Sequence, residues 1–386
     1  MQNYIARSIE SKIRERLLGA PRKLIILYGP RQVGKTTLVE HILHQIPDKR
    51  IKRLNADSTP ITDILSSRNP EKLRLYLSDA DILFIDEAQR IPEIGLNLKI
   101  IHDQLPELRV LITGSSSLDL ANLTEEPLTG RTWSCKLYPF SAQELAAHFG
   151  IAEYDLRLEE WLVFGSYPET LLWSSSHEKA RSLIELSSAY LYKDVLELAN
   201  IRHSSKIRDL LKLLSFQIGS EVSYHELALK TGLNTQTVER YINLLEKAFV
   251  LKVVGGFSRN LRKEISRKKK IYFYDLGIRN ALINRFAPLN LRDDIGALWE
   301  NFLFMERIKY IENNFLPANH YFWRLKTGAE LDLIEEQNGQ ITAFEFKFSK
   351  NKSKTTPPPS WQQAYPKATF QTITRDNYLA FAGVRG

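Results

Sequence analysis

The stretch Gly29-Pro30-Arg31-Gln32-Val33-Gly34-Lys35-Thr36 decides the fold, because it follows directly on the apolar run Leu24-Ile25-Ile26-Leu27-Tyr28 and fills the phosphate-loop template GxxxxGK[ST]. A polyphosphate must be held by many backbone N–H groups at once, so Gly29 and Gly34 let the loop curl around it without Cβ clashes. A helix opening at Lys35 points its positive end at the β-phosphate, the Lys35 ammonium reaches the β- and γ-oxygens, and the Thr36 hydroxyl is left to ligate Mg²⁺. Strand, loop and helix predict an α/β fold with a parallel sheet and an ATP site running from Gly29 through Thr36 to Thr37. The plain alternative is a glycine-rich turn between a strand and a helix.

A second apolar run, Ile82-Leu83-Phe84-Ile85, ends in Asp86-Glu87 and predicts a buried parallel strand with two carboxylates at its tip. Asp86 is placed to hold Mg²⁺ with Thr36, and Glu87 to polarise the water that attacks a γ-phosphate. The same two acids could instead cap a helix. A third run, Val110-Leu111-Ile112, ends in Thr113-Gly114-Ser115-Ser116-Ser117, and Ser115 is the candidate to bond the attacking water or the γ-phosphate. Its alternative is a helix N-cap. Arg131 precedes the strand-like Thr132 to Tyr138 and is a candidate to reach a γ-phosphate in its own or a neighbouring subunit, against the alternative of a surface ion pair.

These residues resemble the prokaryotic AAA-like ATPases that carry a C-terminal domain of uncharacterised function. The resemblance rests on GPRQVGKTTL, LFIDEAQR, LITGSSSL and TGRTWSCKLYPFSAQEL, then GSYPE at Gly165 to Glu169, KIYFYDLGIRNAL at Lys270 to Leu282, GALWENFLF at Gly296 to Phe304, and FWRLKTGAELDLI with AFEFKFS. It implies a P-loop AAA-like parallel sheet with a helical lid, then a winged helix, then an α/β domain similar to the PD-(D/E)xK nucleases. The boundaries fall at 1–140, 141–203, 204–286 and 287–386. The glycine and proline of GSYPE read as a fixed turn rather than chemistry, and Thr355 to Pro359 as an extended, exposed linker.

At 386 residues and 43% hydrophobic content the chain can bury several cores. Its single cysteine, Cys135, excludes an intrachain disulfide framework and fits a reducing cytoplasm, and no stretch is long and apolar enough to predict a membrane span. The formal net charge of +8 is concentrated between Lys252 and Arg285, where basic residues outnumber acidic ones by the whole of that excess. A local basic run is an electrostatic footprint for an acidic polymer and points to nucleic acid, DNA ahead of RNA. Helical patterns before it end in Asn234-Thr235-Gln236-Thr237, which starts a helix with Gln236, Thr237, Glu239 and Arg240 on its exposed face. A homo-oligomer or a protein partner is the competing use of such a module.

The C-terminal pattern holds a second candidate site. Asn338-Gly339 between two alternating runs predicts a two-residue hairpin turn, which places Asp332 opposite Glu345 and Glu330 opposite Lys347. Two facing carboxylates repel unless a cation sits between them. A second Mg²⁺ or Mn²⁺ on Asp332 and Glu345, with Lys347 beside a scissile phosphate and Glu300 arriving from the helix starting at Leu298, would be a phosphodiesterase arrangement. Glu300, Asp332, Glu345 and Lys347 match the nuclease pattern that the resemblance implies. The plain alternative is an ion-paired, half-solvated hairpin.

Overall fold

The structure is a computed structural model that describes residues 4–114, 128–198, 204–258, 269–349 and 356–385. The first element, helix Glu10–Leu18, buries Ile9, Ile13 and Leu17 on the sheet, while Leu18 lies off that stripe and is exposed. Strand β1 (Leu24–Tyr28) is buried along its whole length, as a central strand covered on both faces must be. With β2 (Ile51–Asn55), β3 (Ile82–Asp86), β4 (Arg109–Gly114) and β5 (Thr132–Lys136) it forms a five-stranded sheet in the order β2-β3-β4-β1-β5. All pairings are parallel, and the register sets Tyr28 against Gly114, Ile85 against Ile112, and Asn55 against Asp86. The carboxyl ends of β1, β3 and β4 therefore open on one edge, at the point where the chain order reverses.

Helices Ala142–Phe149, Ile151–Leu156, Leu158–Phe164 and Ser176–Leu198 follow. The first is fixed by a reciprocal cap, in which the Ser141 hydroxyl accepts from Glu144 N and the Glu144 carboxylate accepts from Ser141 N. Helices Ser204–Phe216, Tyr224–Thr231 and Thr235–Lys247 then pack beside an antiparallel sheet of β6 (Glu221–Val222), β8 (Lys269–Phe273) and β7 (Leu251–Gly255), with β6 falling between the first two of these helices. Asn234 caps the third of these helices, and Val238, Tyr241, Ile242 and Leu245 bury its apolar stripe.

The last unit sets helix Ile295–Asn313 against a mixed sheet ordered β12-β11-β10-β9, built from β9 (Asn319–Arg324), β10 (Glu330–Gln337), β11 (Gln340–Phe346) and β12 (Thr369–Ile373). Asn338 and Gly339 both take positive φ, 51° and 77°, and the hairpin pairs Leu333 with Phe344 and Gln337 with Gln340. That is the register the two-residue turn predicts. Of the expected linker, Thr355 lies outside the described residues and Thr356 to Pro358 form neither helix nor strand, while Pro359 is corrected: it opens a short helix, Pro359–Ala364, which buries Trp361. Proline suits the first turn of a helix because its missing N–H would be unpaired there in any case. The units are joined along the chain's interior. Phe257 N–H donates to Phe322 O at 2.6 Å beside a bridge from Gly256 to Phe322, and Tyr138 stacks on Tyr274 with ring centroids 5.5 Å apart.

Candidate functional site

The phosphate loop is shaped by two backbone requirements. A Cβ at Gly29 would lie 2.3 Å from the Leu137 carbonyl oxygen, so only glycine lets the loop pass that close to the chain beyond β5. Gly34 takes φ +93°, a left-handed turn that launches helix Lys35–His44 toward the loop's concave side. Lys35 is buried, and its ammonium donates to the carbonyls of Gly29 and Pro30 at 2.9 Å each, closing the floor of the loop.

Across the floor, the Thr36 hydroxyl donates to Asp86 Oδ2 at 2.9 Å. The other carboxylate oxygen of Asp86 takes a short hydrogen bond from the Thr113 hydroxyl, whose oxygen in turn accepts from Glu87 N at 3.2 Å. Glu87 sits in the left-handed region at φ +53°, a conformation that costs a non-glycine residue of order 1 kcal/mol or more. Its carboxylate is engaged by Gln89 Nε2. Thr113 thus both aims Asp86 and pins the turn that presents Glu87. Ser115, expected to bond the attacking water or the γ-phosphate, lies outside the described residues. The available signal was parallel register, since pairing Ile85 with Ile112 sets Thr113 beside Asp86.

Arg131 requires a correction. Its carbonyl accepts from Leu24 N at 2.9 Å and its guanidinium pairs with Asp103 at 3.2 Å, which puts it at the amino end of β1. The five residues of β1 span roughly 13 to 17 Å, so Arg131 does not reach the phosphate loop of its own chain.

A cavity of about 480 Å³ opens beside the loop, bordered by Val33, Gly34 and Thr37 on one side and by Arg7, Phe140 and Glu169 on others. This volume suits a small-molecule ligand. Pro168 and Glu169 of GSYPE form part of its wall, so that turn belongs to the site. Arg7 is held in the wall by its ion pair with Glu144 and lies 4.2 Å over the Phe140 ring.

Glu300, Asp332, Glu345 and Lys347 converge, and two lysines stand beside the carboxylates where the sequence reading expects a cation. Lys270 of β8 donates to Glu300 at 2.9 Å, Tyr272 OH donates to the same oxygen at 2.7 Å, and Lys347 pairs with Glu345 at 2.8 Å. Asp332 Oδ2 accepts from Phe346 N at 2.7 Å, and burial, then the charge of Glu300, pushes this carboxyl well above its ordinary range. Among the described residues, no group of three or more His, Cys, Asp or Glu side chains is arranged to hold a metal ion. Lys270 supplies the positive charge that facing carboxylates require, from an element that hairpin geometry alone could not bring into view. Glu330, expected opposite Lys347, pairs with Arg324 of β9 at 3.5 Å, and β10 shifts its register on β9 between Leu331 and Ile334.

The basic run is also altered by folding. Lys252 pairs with Glu246, Lys270 with Glu300, Arg279 with Asp294 and Arg285 with Asp293, so four of its charges are balanced internally. Arg259, Arg262, Lys263, Arg267 and Lys268 lie outside the described residues. On the helix read as a recognition element, Gln236, Glu239 and Arg240 are exposed and Thr237 is half-buried.

Phosphate loop, strand-tip acids and a five-stranded parallel sheet define a P-loop protein of the AAA class. Residues 21–146 match the family model described as AAA domain, residues 155–289 one described as Domain of unknown function (DUF8612), and residues 295–370 one described as Domain of unknown function (DUF4143). Uncharacterized protein Rv2008c of Mycobacterium tuberculosis is 30% identical over 347 residues, covering 88% of this chain and 73% of the relative. Uncharacterized protein MJ1544 of Methanocaldococcus jannaschii is 27% identical over 354 residues, covering 86% and 74%. The chain belongs to the family of AAA-domain proteins represented by Rv2008c, with a C-terminal domain of unknown function. A RuvB mutant of Thermotoga maritima aligns over 72% of this chain and 93% of its own at 16% identity, with a TM-score of 0.34, too slight a likeness to bear on function.

Proposed function

We propose that the chain is a Mg²⁺-dependent ATPase whose nucleotide state is read by its C-terminal half. The observation that supports this best is the hydrogen-bonded chain Thr36–Asp86–Thr113–Glu87 at the carboxyl edge of the sheet. A hydroxyl and a carboxylate 2.9 Å apart are the donor set a Mg²⁺ ion uses beside phosphate oxygens. Mg²⁺, when bound, neutralises charge on the β- and γ-phosphates. Thr36 and Asp86 would hold it, Lys35 would exchange a loop carbonyl for phosphate oxygens, and Glu87 would orient the attacking water. The nucleoside would occupy the cavity between Arg7, Phe140 and Glu169.

Glu87→Gln is expected to keep ATP affinity and lower turnover by about 10² to 10⁴, the usual worth of a positioned general base. Steady-state phosphate release alongside a binding titration checks this, and unchanged turnover would assign the base elsewhere. Thr113→Val should reduce turnover by about ten- to a hundredfold with little change in affinity, as loss of a group that orients a metal ligand does. A parent-like rate in Thr113→Val would mean that Asp86 and Glu87 hold their places without it.

The C-terminal cluster, in which Lys270 pairs with Glu300 and Lys347 with Glu345, supports the reading of a nucleotide-gated switch that binds a protein partner or a second copy. The helical module with its exposed Gln236, Glu239 and Arg240, read as a winged helix, together with the basic residues 259–268, supports the second reading, action on DNA or RNA. ATP hydrolysis with and without DNA and RNA separates the two. Stimulation supports the nucleic-acid reading, and an unchanged rate supports the switch.

A further inference from the structure

GSYPE and Asp275-Leu276-Gly277, read from the sequence as separate motifs, meet in the folded chain behind the wall of the nucleotide cavity. Phe140 N–H donates to Ser166 O at 2.9 Å, joining the segment after β5 to the turn that carries Pro168 and Glu169. Both sides of that junction are gripped from the C-terminal half. Lys309 Nζ donates to Phe140 O at 3.0 Å, to Ser166 Oγ at 3.4 Å and to Glu306 Oε1 at 2.8 Å. Asp275 Oδ2 accepts from Ser166 N at 2.8 Å, and Glu306 Oε2 accepts from Ala142 N at 2.6 Å.

The fit has no slack. A Cβ at Gly165, where φ is +68°, would lie 2.1 Å from Asp275 Oδ1, and one at Gly277 would lie 2.1 Å from Phe164 O. Lys309, Glu306 and Asp275 are all buried. The cavity they line with Phe140 and Ser166 measures about 20 Å³, room for about one water molecule. Phe140 lines both this cavity and the large one beside the phosphate loop. An aliphatic side chain could pack the same gap without the desolvation cost of an ammonium. The ammonium instead bonds the backbone and hydroxyl groups that shape the nucleotide wall.

We propose that Lys309 and Asp275 are positioning residues for the nucleotide site, so that nucleotide occupancy and the seating of helix Ile295–Asn313 are coupled through Phe140 and Ser166. This rests on the nucleotide reading above. A ligand that presses on Phe140 or on the Pro168–Glu169 turn moves the acceptors of Lys309, and any shift of the helix moves the wall in return. The coupling is reciprocal by thermodynamic necessity.

Hydrogen–deuterium exchange on the full chain, with and without ADP and Mg²⁺, is the test, read together with the kinetics of Lys309→Met and Lys309→Arg. Nucleotide should slow exchange in residues 29–44, in 162–170 and in 295–313. Lys309→Met should raise KM for ATP by about ten- to a hundredfold, the scale of a 1 Å misplacement, with kcat little changed, and Lys309→Arg should recover part of that loss. A merely structural lysine would lower the melting temperature and leave KM where it was. Protection in 29–44 with none in 295–313 overturns the coupling and leaves the nucleotide reading standing, and this measurement holds even if Lys309→Met does not fold. No protection in 29–44 overturns both.

Discussion

Lys35→Ala is expected to weaken binding of a fluorescent ATP analogue by roughly 30- to 5,000-fold, the equivalent of the 2 to 5 kcal/mol lost when one partner of a desolvated charge pair is truncated. Lys35 is only 5% exposed, and its ammonium sits 2.9 Å from the carbonyls of Gly29 and Pro30, at the floor of the loop rather than at its rim. Water therefore cannot take over its role when the side chain is removed. Two loop carbonyls lose a donor as well, so the melting temperature of the nucleotide-free protein has to be recorded beside the titration. A folded Lys35→Ala protein that binds as the parent does would move the nucleotide out of this loop, and the roles given to Thr36, Asp86 and Glu87 would go with it.

The parts of this site that were legible in the sequence are those fixed by local geometry. The loop from Gly29 to Thr36 is contiguous, and its two glycines are required by a close approach and by a positive φ that the residue types announce. The Asn338-Gly339 turn was readable for the same reason, since both residues must take positive φ and that fixes the register of β10 on β11. Thr113 was harder. Strands β3 and β4 pair through a long crossover, so the hydroxyl that meets Asp86 depends on a register no turn dictates. Lys270, Arg131 and Lys309 were beyond reach of local reasoning. Each is explained by a partner on another element: Glu300 for Lys270, Asp103 for Arg131, and Phe140 with Ser166 for Lys309. The basic run between Lys252 and Arg285 illustrates the same limit, because a count of charges does not reveal which of them folding will pair.

Lys270→Met is expected to destabilise the chain by about 3 to 5 kcal/mol, the cost of removing one side of a buried ion pair and leaving the other uncompensated. The side chain of Lys270 is 2% exposed, and its partner Glu300 is shared with Tyr272. Around it stand Asp332 and Glu345, with Lys347 half-exposed on Glu345. With Asp332 protonated, two carboxylates face two ammoniums and the cluster is balanced. Burial, then Glu300, holds that proton on Asp332 well above the range of an unfolded carboxyl. The sign follows: the native state binds the proton more tightly, so the stability linked to Asp332 is full at low pH and is lost as pH rises through its folded value. Asp332→Asn keeps an oxygen to accept from Phe346 N and needs no proton, so it should be far milder than Lys270→Met and should flatten that decline. Urea denaturation of the three proteins across pH measures all of this. A nuclease centre predicts another pattern, in which the parent takes up Mn²⁺ at this cluster, Asp332→Asn abolishes the uptake, and Lys270→Met is harmless or binds the metal more tightly. That outcome would return Lys270 to the role of a bystander and make the C-terminal half an enzyme in its own right.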